Sequence, residues 1–470
     1  MRQDDHPFPD PPRTWRRELA ETFALAWPLV LTQLAQTATY STDVIMIGRL
    51  GATELAASAL AVNLYSVLLF TGMGLVTAAA PLVAAELGAR RHSVREVRRT
   101  VRMAIWAAFL FTIPAMLVLW QTEAILLALG QDPLLSQESG EFMTALQWAL
   151  FPALLIIILR NFVAALGLAW IPLAVMLAGV VVNLLGNWLL IFGHWGFPRL
   201  GLIGSGYASA ITYTFMALVL AAIVLTHRRL RRTYVFGRLF RPDWQRLGEV
   251  FRIGTPIAFT LAFEVTVFSA AVYLMGLIDQ LSVAAHAIAL QIAAISFMVP
   301  LGISQATTIR VGMAYGARDS AWVGMAGSAS LALSLGFMGL AALTIWAFPR
   351  ELASLFLDAS KPANAPVLDL AVKFLFIAAI FQLADGAQVV GAAMLRGLQD
   401  TRVPMVYAGI GYWLVGLGGG AALAFWAGLE GEGVWTGLAL GLAMVAVLML
   451  WRWGRRDRLG LISCPQAVDA

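Results

Sequence analysis

Three acidic side chains, Asp43, Glu264 and Asp385, stand inside stretches of sequence that are otherwise apolar. An ionisable group at the centre of a bilayer costs about 2.5–3.5 kcal/mol on insertion scales, so each needs a reason to be there. Glu264 lies twelve residues past Arg252, which on a helix is about 18 Å. Asp385 lies eleven residues before Arg396, about 16 Å on a helix that must run the other way. The two carboxylates therefore fall at nearly one depth in the same half of the chain, with Gln291 and Gln382 expected nearby. Such a pair could hold one proton between two oxygens. It could also bind Na+ at Glu264 and Asp385, with amide carbonyls completing an oxygen shell. A second constellation belongs to the first half. Asp43 is six residues short of Arg49, and Asn187 is seven short of His194. Both are thus about 10 Å in from the same end, and Asn183 shares a helix face with Asn187. Asparagines at that place could equally serve simple helix–helix hydrogen bonding.

The elements that position these groups must be helices. Of 470 residues, 60% are hydrophobic and 13% charged, about half the charge of a soluble domain. The apolar runs are long and continuous, and lipid leaves backbone groups unsatisfied outside helices or closed barrels. Twelve spans are predicted, at 19–48, 54–82, 98–120, 141–160, 168–192, 202–226, 248–277, 283–311, 322–348, 366–395, 403–427 and 433–453. Arginines orient them. Arg13, Arg16 and Arg17, then Arg90 to Arg102, then Arg228 to Arg246, then Arg452 to Arg458 all fall on one side, the cytoplasmic one. Both termini are therefore expected inside. The formal charge of +5 is mostly this orientation signal and not a nucleic-acid patch. No arginine falls at mid-depth to neutralise Glu264 or Asp385. Glu86 and Arg310 are expected at span ends as interfacial groups, and His286 as a packed residue rather than a proton carrier. The one cysteine, Cys464, excludes an intramolecular disulfide.

The chain also repeats itself. Residues 28–91 lie on residues 256–319 without a gap, at an offset of 228, with fifteen of sixty-four positions identical. Pro28 meets Pro256, Gly48 meets Gly276 and Gly74 meets Gly302. Six spans per half is an even number, so the repeat is parallel, about an axis along the membrane normal. The expected organisation is an all-α polytopic membrane protein of twelve transmembrane helices in two six-helix lobes related by a pseudo-two-fold axis. It comprises a cytosolic tail (1–18), an N-lobe (19–226), a basic cytosolic linker (227–247), a C-lobe (248–455) and a C-terminal tail (456–470). The duplication does not extend to the chemistry: Gln36 stands opposite Glu264, and Ala271 opposite Asp43.

The repeat with its two prolines, the segment Thr42-Asp43-Val44-Ile45-Met46-Ile47-Gly48, the segment Phe263-Glu264-Val265-Thr266 and the stretch Gln382-Leu383-Ala384-Asp385-Gly386 together resemble the MATE (multidrug and toxic compound extrusion) family, in its NorM-type branch. The resemblance covers about residues 16–455. It implies an antiporter of the bacterial inner membrane, without an organic cofactor, that exports cationic amphiphilic drugs and dyes as Na+ or H+ enters. It implies roles in cation coupling for Glu264, Asp385 and Asp43, with Asn183 and Asn187 beside Asp43. Gln291, Gln382 and Gln36 are supporting polar residues, and a monomer in the lipid bilayer is expected. A flippase of lipid-linked oligosaccharide, the main rival, would line its cleft with Arg or Lys, whereas the charges within these spans are acidic. A membrane enzyme would need a motif such as HExxH, and an ATP-driven pump a Gly-Lys phosphate loop; neither occurs, since Lys361 and Lys373 do not follow a glycine.

Overall fold

A computed structural model describes residues 14–89, 93–237, 239–358 and 360–462. Arg13, Arg90, Arg91, Arg238, Cys464, most of the N-terminal tail and the end of the C-terminal tail lie outside the described residues. The first half folds as α1 (Trp15–Gly48), α2 (Ala52–Thr77), α3 (Ala79–Ala89), α4 (Ser93–Leu119), α5 (Thr122–Ala128), α6 (Pro133–Leu146), α7 (Leu150–Ala165), α8 (Trp170–Phe192) and α9 (Gly201–Thr226). The second half folds as α10 (Trp244–Ile278), α11 (Gln280–Gly316), α12 (Ser320–Ala347), α13 (Pro349–Ser354), α14 (Ala365–Gly397), α15 (Arg402–Gly409), α16 (Gly419–Phe425) and α17 (Glu430–Gly454). A π-helical stretch, Ile410–Gly418, joins α15 to α16. No strand occurs among the described residues.

Several of these helices are pieces of one span. α2 continues into α3, α6 into α7, and α15 through the π-helical stretch into α16. Among the described residues, eleven spans are long and apolar enough to cross a membrane. α1 supplies the twelfth by its 34-residue length, although Gln33, Gln36 and several threonines make its middle too polar to qualify on composition. The short α5 and α13 occupy equivalent places, after the third and ninth spans.

Helix ends are set by caps rather than by the limits of apolar runs. Asp132 accepts from the backbone N–H of Leu134 (2.9 Å) and Leu135 (3.3 Å), ahead of Pro133 at the first helical position. The fourth span therefore begins at Pro133 rather than at 141, and it runs to Ala165. Asp279 caps α11 through Ser282 N–H (2.6 Å), and Asp319 caps α12 through Trp322 N–H (2.9 Å). The longer helices draw Arg160 into α7 and Arg396 into α14, where the apolar runs place both at span ends.

Contacts divide the chain into two units whose borders do not coincide with its halves. One unit comprises residues 31–258, and the other residues 14–30 together with 259–462. The start of α1 thus packs with the second half, and the start of α10 with the first. The changeovers follow Pro28 and Pro256, the prolines within these two helices. Both crossings rest on a glycine. A methyl group on Gly74 would come within 2.6 Å of Ala258 N, and one on Gly302 within 2.7 Å of Val30 N. These two contacts are equivalent under the offset of 228.

Each crossing start is also pinned by charge. In the second unit, Glu18 is fully buried and pairs with the guanidinium of Arg310, which donates from Nε (2.8 Å) and Nη2 to the two carboxylate oxygens. Trp322 Nε1 donates to the same carboxylate (3.0 Å), and Glu21 adds a second acceptor for Arg310 (2.8 Å). In the first unit, Arg246 reaches Glu86 (2.6 Å), Glu249 (2.7 Å) and Glu96 (2.9 Å). Position 246 is position 18 plus 228, so the anchor is repeated with its polarity reversed. Glu86 and Arg310, expected as plain interfacial groups, are the fixed ends of these two anchors.

Candidate functional site

Each unit holds one of the two constellations. In the first, Asp43 of α1 is gripped from α8 and α9. Asn183 and Asn187, both fully buried, lie one turn apart on α8 and donate their Nδ2 groups to Asp43 Oδ1 at 2.9 and 2.7 Å. Ser209 of α9 donates Oγ–H to Asp43 Oδ2 at 3.0 Å. The carboxylate therefore acts as acceptor three times. The amide oxygens of Asn183 and Asn187 are turned away from it and have no hydrogen-bond partner among the described residues. The expected grouping of Asp43, Asn183 and Asn187 is present, and Ser209 joins it. Sequence reasoning passed over Ser209 because a serine among the glycines and alanines of an apolar helix carries no depth signal.

The second constellation is built differently. Asp385, 5% exposed, lies on the buried face of α14 and accepts from Gln388 Nε2 at 3.2 Å. Tyr412, also buried, donates its hydroxyl to Gln388 Oε1 at 2.8 Å. That tyrosine sits in the π-helical stretch, whose wider turns shift the following side chains relative to an α-helix. Such insertions are frequent at functional sites. Glu264 on α10 is half-buried and makes no hydrogen bond or ion pair among the described residues. Its charge acts on Asp385 and Tyr412, and the charge of Arg396 acts on it in turn. The charges of the two carboxylates therefore bear on one another, and Arg396 is a counter-charge to Glu264.

The other expected residues divide. Gln382 is fully buried one turn from Asp385, and both of its amide atoms lack a partner among the described residues. Gln291 is exposed and hydrogen-bonds neither carboxylate. Gln36 is half-buried on α1, while its neighbour Gln33 accepts from Arg160 Nη1 at 3.1 Å. Gln388 and Tyr412 were missed: a glutamine three residues after an acid and one of two tyrosines in a glycine-rich span gain meaning only once α14 and the π-helical stretch are packed together. Among the described residues no cluster of three or more His, Cys, Asp or Glu could hold a metal ion. The oxygens of Asp385, Glu264 and Gln382 are nonetheless of the kind a hard monovalent cation prefers, as divalent hard cations do.

Comparison with known proteins gives a consistent result. Residues 28–189 and 256–420 match the sequence model of the family described as MatE, so the two matched segments follow the internal repeat. A protein of Mesorhizobium japonicum named probable multidrug resistance protein NorM is 52% identical over 449 residues, covering 96% of each chain. A protein of the same name from Brucella suis is 51% identical over 441 residues, covering 94% of each. Among solved structures, the eukaryotic MATE transporter AtDTX14 superposes with a TM-score of 0.82 at 22% identity, over 95% of this chain and 99% of that one. That likeness speaks to the fold, a bundle of membrane-spanning helices.

Proposed function

The chain belongs to the MatE family, and from that premise we propose that it is a multidrug efflux antiporter coupling export of amphiphilic organic cations to entry of Na+ or H+. It is a transporter and not an enzyme. The observation that carries the coupling assignment is the pair Glu264 and Asp385, two carboxylates in electrostatic reach of one another within apolar helices. Such a pair changes its charge state on taking up one cation, and so it can favour one conformation when loaded and another when empty. Asp43 with Asn183 and Asn187 is assigned the second, supporting role, because its carboxylate is already engaged by three donors.

In this reading the N-lobe (19–226) and C-lobe (248–455), joined by linker 227–247, alternate access, each with the start of its first helix exchanged to the other. In the same reading the protein works as a monomer in the bacterial inner membrane, and the arginine distribution supports both termini lying in the cytoplasm. The flippase alternative would call on Arg160 and Arg396 to hold an anionic headgroup. Arg160 is engaged by Gln33, and the three acids within the spans suit a cation better than an anionic headgroup, which leaves the cation reading ahead.

The test is efflux from proteoliposomes with Na+ and pH gradients imposed separately. Glu264→Gln and Asp385→Asn are each expected to reduce ion-driven ethidium efflux at least tenfold, with expression and elution profile unchanged. Undiminished efflux in both variants would remove the coupling assignment, and the gradient that drives the unmodified protein identifies the ion.

A further inference from the structure

The second unit, which holds Asp385, also holds a group of buried polar side chains without hydrogen-bond partners among the described residues. His286 of α11 is 1% exposed, and both of its ring nitrogens lack a hydrogen bond. Trp435 of α17 and Gln382 of α14 are fully buried; the indole Nε1 and both amide atoms of the glutamine are likewise unpartnered. Two of them are in ring contact, and the third lies on the helix that packs against them. The rings of His286 and Trp435 lie 5.4 Å apart, and Trp435 packs between Phe374 (6.4 Å) and Phe381 (5.7 Å), the residue before Gln382. Gln382 is three residues from Asp385, about 4.5 Å along the helix axis. The series starts near the end of the unit where Lys373 pairs with Glu432 (3.2 Å), an exposed pair. It runs inward to the carboxylate.

Five polar atoms unpartnered among the described residues, on three buried side chains of one unit, depart from the usual rule that buried polar groups are bonded to protein or to water. The donor types decide what completes them. An indole N–H can only donate, so it cannot ligate a bare cation. An imidazole and a primary amide each donate and accept. Water both donates and accepts, so a chain of waters can serve all three. We propose that His286, Trp435 and Gln382 line a buried water column through which Asp385 exchanges protons with the end of the bundle marked by Lys373 and Glu432. A proton entering there forms an O–H bond with the first water, each water passes one proton to the next, and the last delivers it to the Asp385 carboxylate. This deepens the antiporter reading and rests on it for the role of Asp385, but the column itself does not.

Hydroxyl-radical footprinting with mass spectrometry tests the column on the intact protein. Trp322 is the internal control, a tryptophan of similar burial (3% exposed) whose Nε1 is satisfied by Glu18. Trp435 is expected to oxidise at least fivefold faster than Trp322, because radicals form from the water beside it. Equal rates would overturn the proposal. In proteoliposomes, Gln382→Leu and His286→Phe are expected to slow efflux driven by a pH gradient at least tenfold while drug affinity stays within twofold. His286→Gln, which keeps a donor and an acceptor, is expected to restore the rate. Unchanged rates in both apolar variants, or drive by Na+ alone, would overturn the proton role. Unchanged coupling in Asp385→Asn would instead remove the antiporter assignment, and the Trp435 labelling would still decide whether the column exists.

Discussion

Asp43 and Asp385 are both aspartates in apolar helices, yet their neighbours make them chemically unlike. Asp43 is held on both oxygens by three neutral donors. Asp385 receives one donor, Gln388, whose own oxygen is fixed by Tyr412. Tyr412→Phe removes that fixing bond and leaves the ring. A fixed amide is worth about 0.5–1.5 kcal/mol, so ion-driven efflux is expected to fall about two- to tenfold, with drug affinity nearly unchanged. Steady-state efflux against ion concentration reads this, and a variant indistinguishable from the unmodified protein would show that Gln388 orients itself. The three acids were legible in the sequence because charge within an apolar run is conspicuous. Ser209, Gln388 and Tyr412 were not, since uncharged polar residues are common in such helices and only packing shows which of them face a carboxylate.

At the scale of elements, the same kind of ion pair has very different weight at different places. Glu18 and Arg310 are buried, whereas Lys373 and Glu432 are 63% and 42% exposed. Removing one partner of a buried pair strands the other charge, at about 3–5 kcal/mol. An exposed pair contributes about 0–1 kcal/mol. Glu18→Ala should therefore lower the melting temperature of the purified protein by many degrees and Glu432→Ala by few, as read by thermal unfolding in detergent. The entry to α10 supplies a pH dependence. Asp243 precedes the helix and accepts from Arg99 Nε at 2.6 Å, which holds its carboxyl below the ordinary aspartate range. A carboxyl lowered on folding stabilises above its unfolded value, about 3.9, and that contribution is lost as the pH falls through the lower folded value. Asp243→Asn is expected to lower stability at pH 7 and to flatten its decline below about pH 4. Equal acid profiles for the two proteins would sink this assignment. Span count and order could be read from hydropathy and arginines. The true starts could not: Asp132 and Pro133 set the beginning of the fourth span eight residues ahead of the predicted 141.

For the whole molecule, the gapless repeat anticipates two similar assemblies but not their exchange of helix starts. Nothing in a linear alignment says which half residues 14–30 will pack with. That is decided by the glycines at 74 and 302 and by anchors whose charges are reversed between copies. Deleting residues 1–27 is expected to raise amide hydrogen exchange in α11 around Gly302 and Arg310, inside the second unit, while α8 and α9 keep their protection. Exchange that rises equally in both units would argue against the assignment of residues 14–30 to the second.

The exchange also dictates an order of events during synthesis. Glu18 leaves the ribosome about three hundred residues before Arg310, so the first turns of α1 enter the membrane with their partner unmade. The first half is complete only when the opening of α10 has been translated, and the second half closes on a segment that has waited since the beginning. The same geometry means that severing the chain in the linker yields two fragments, each missing a piece that the other carries.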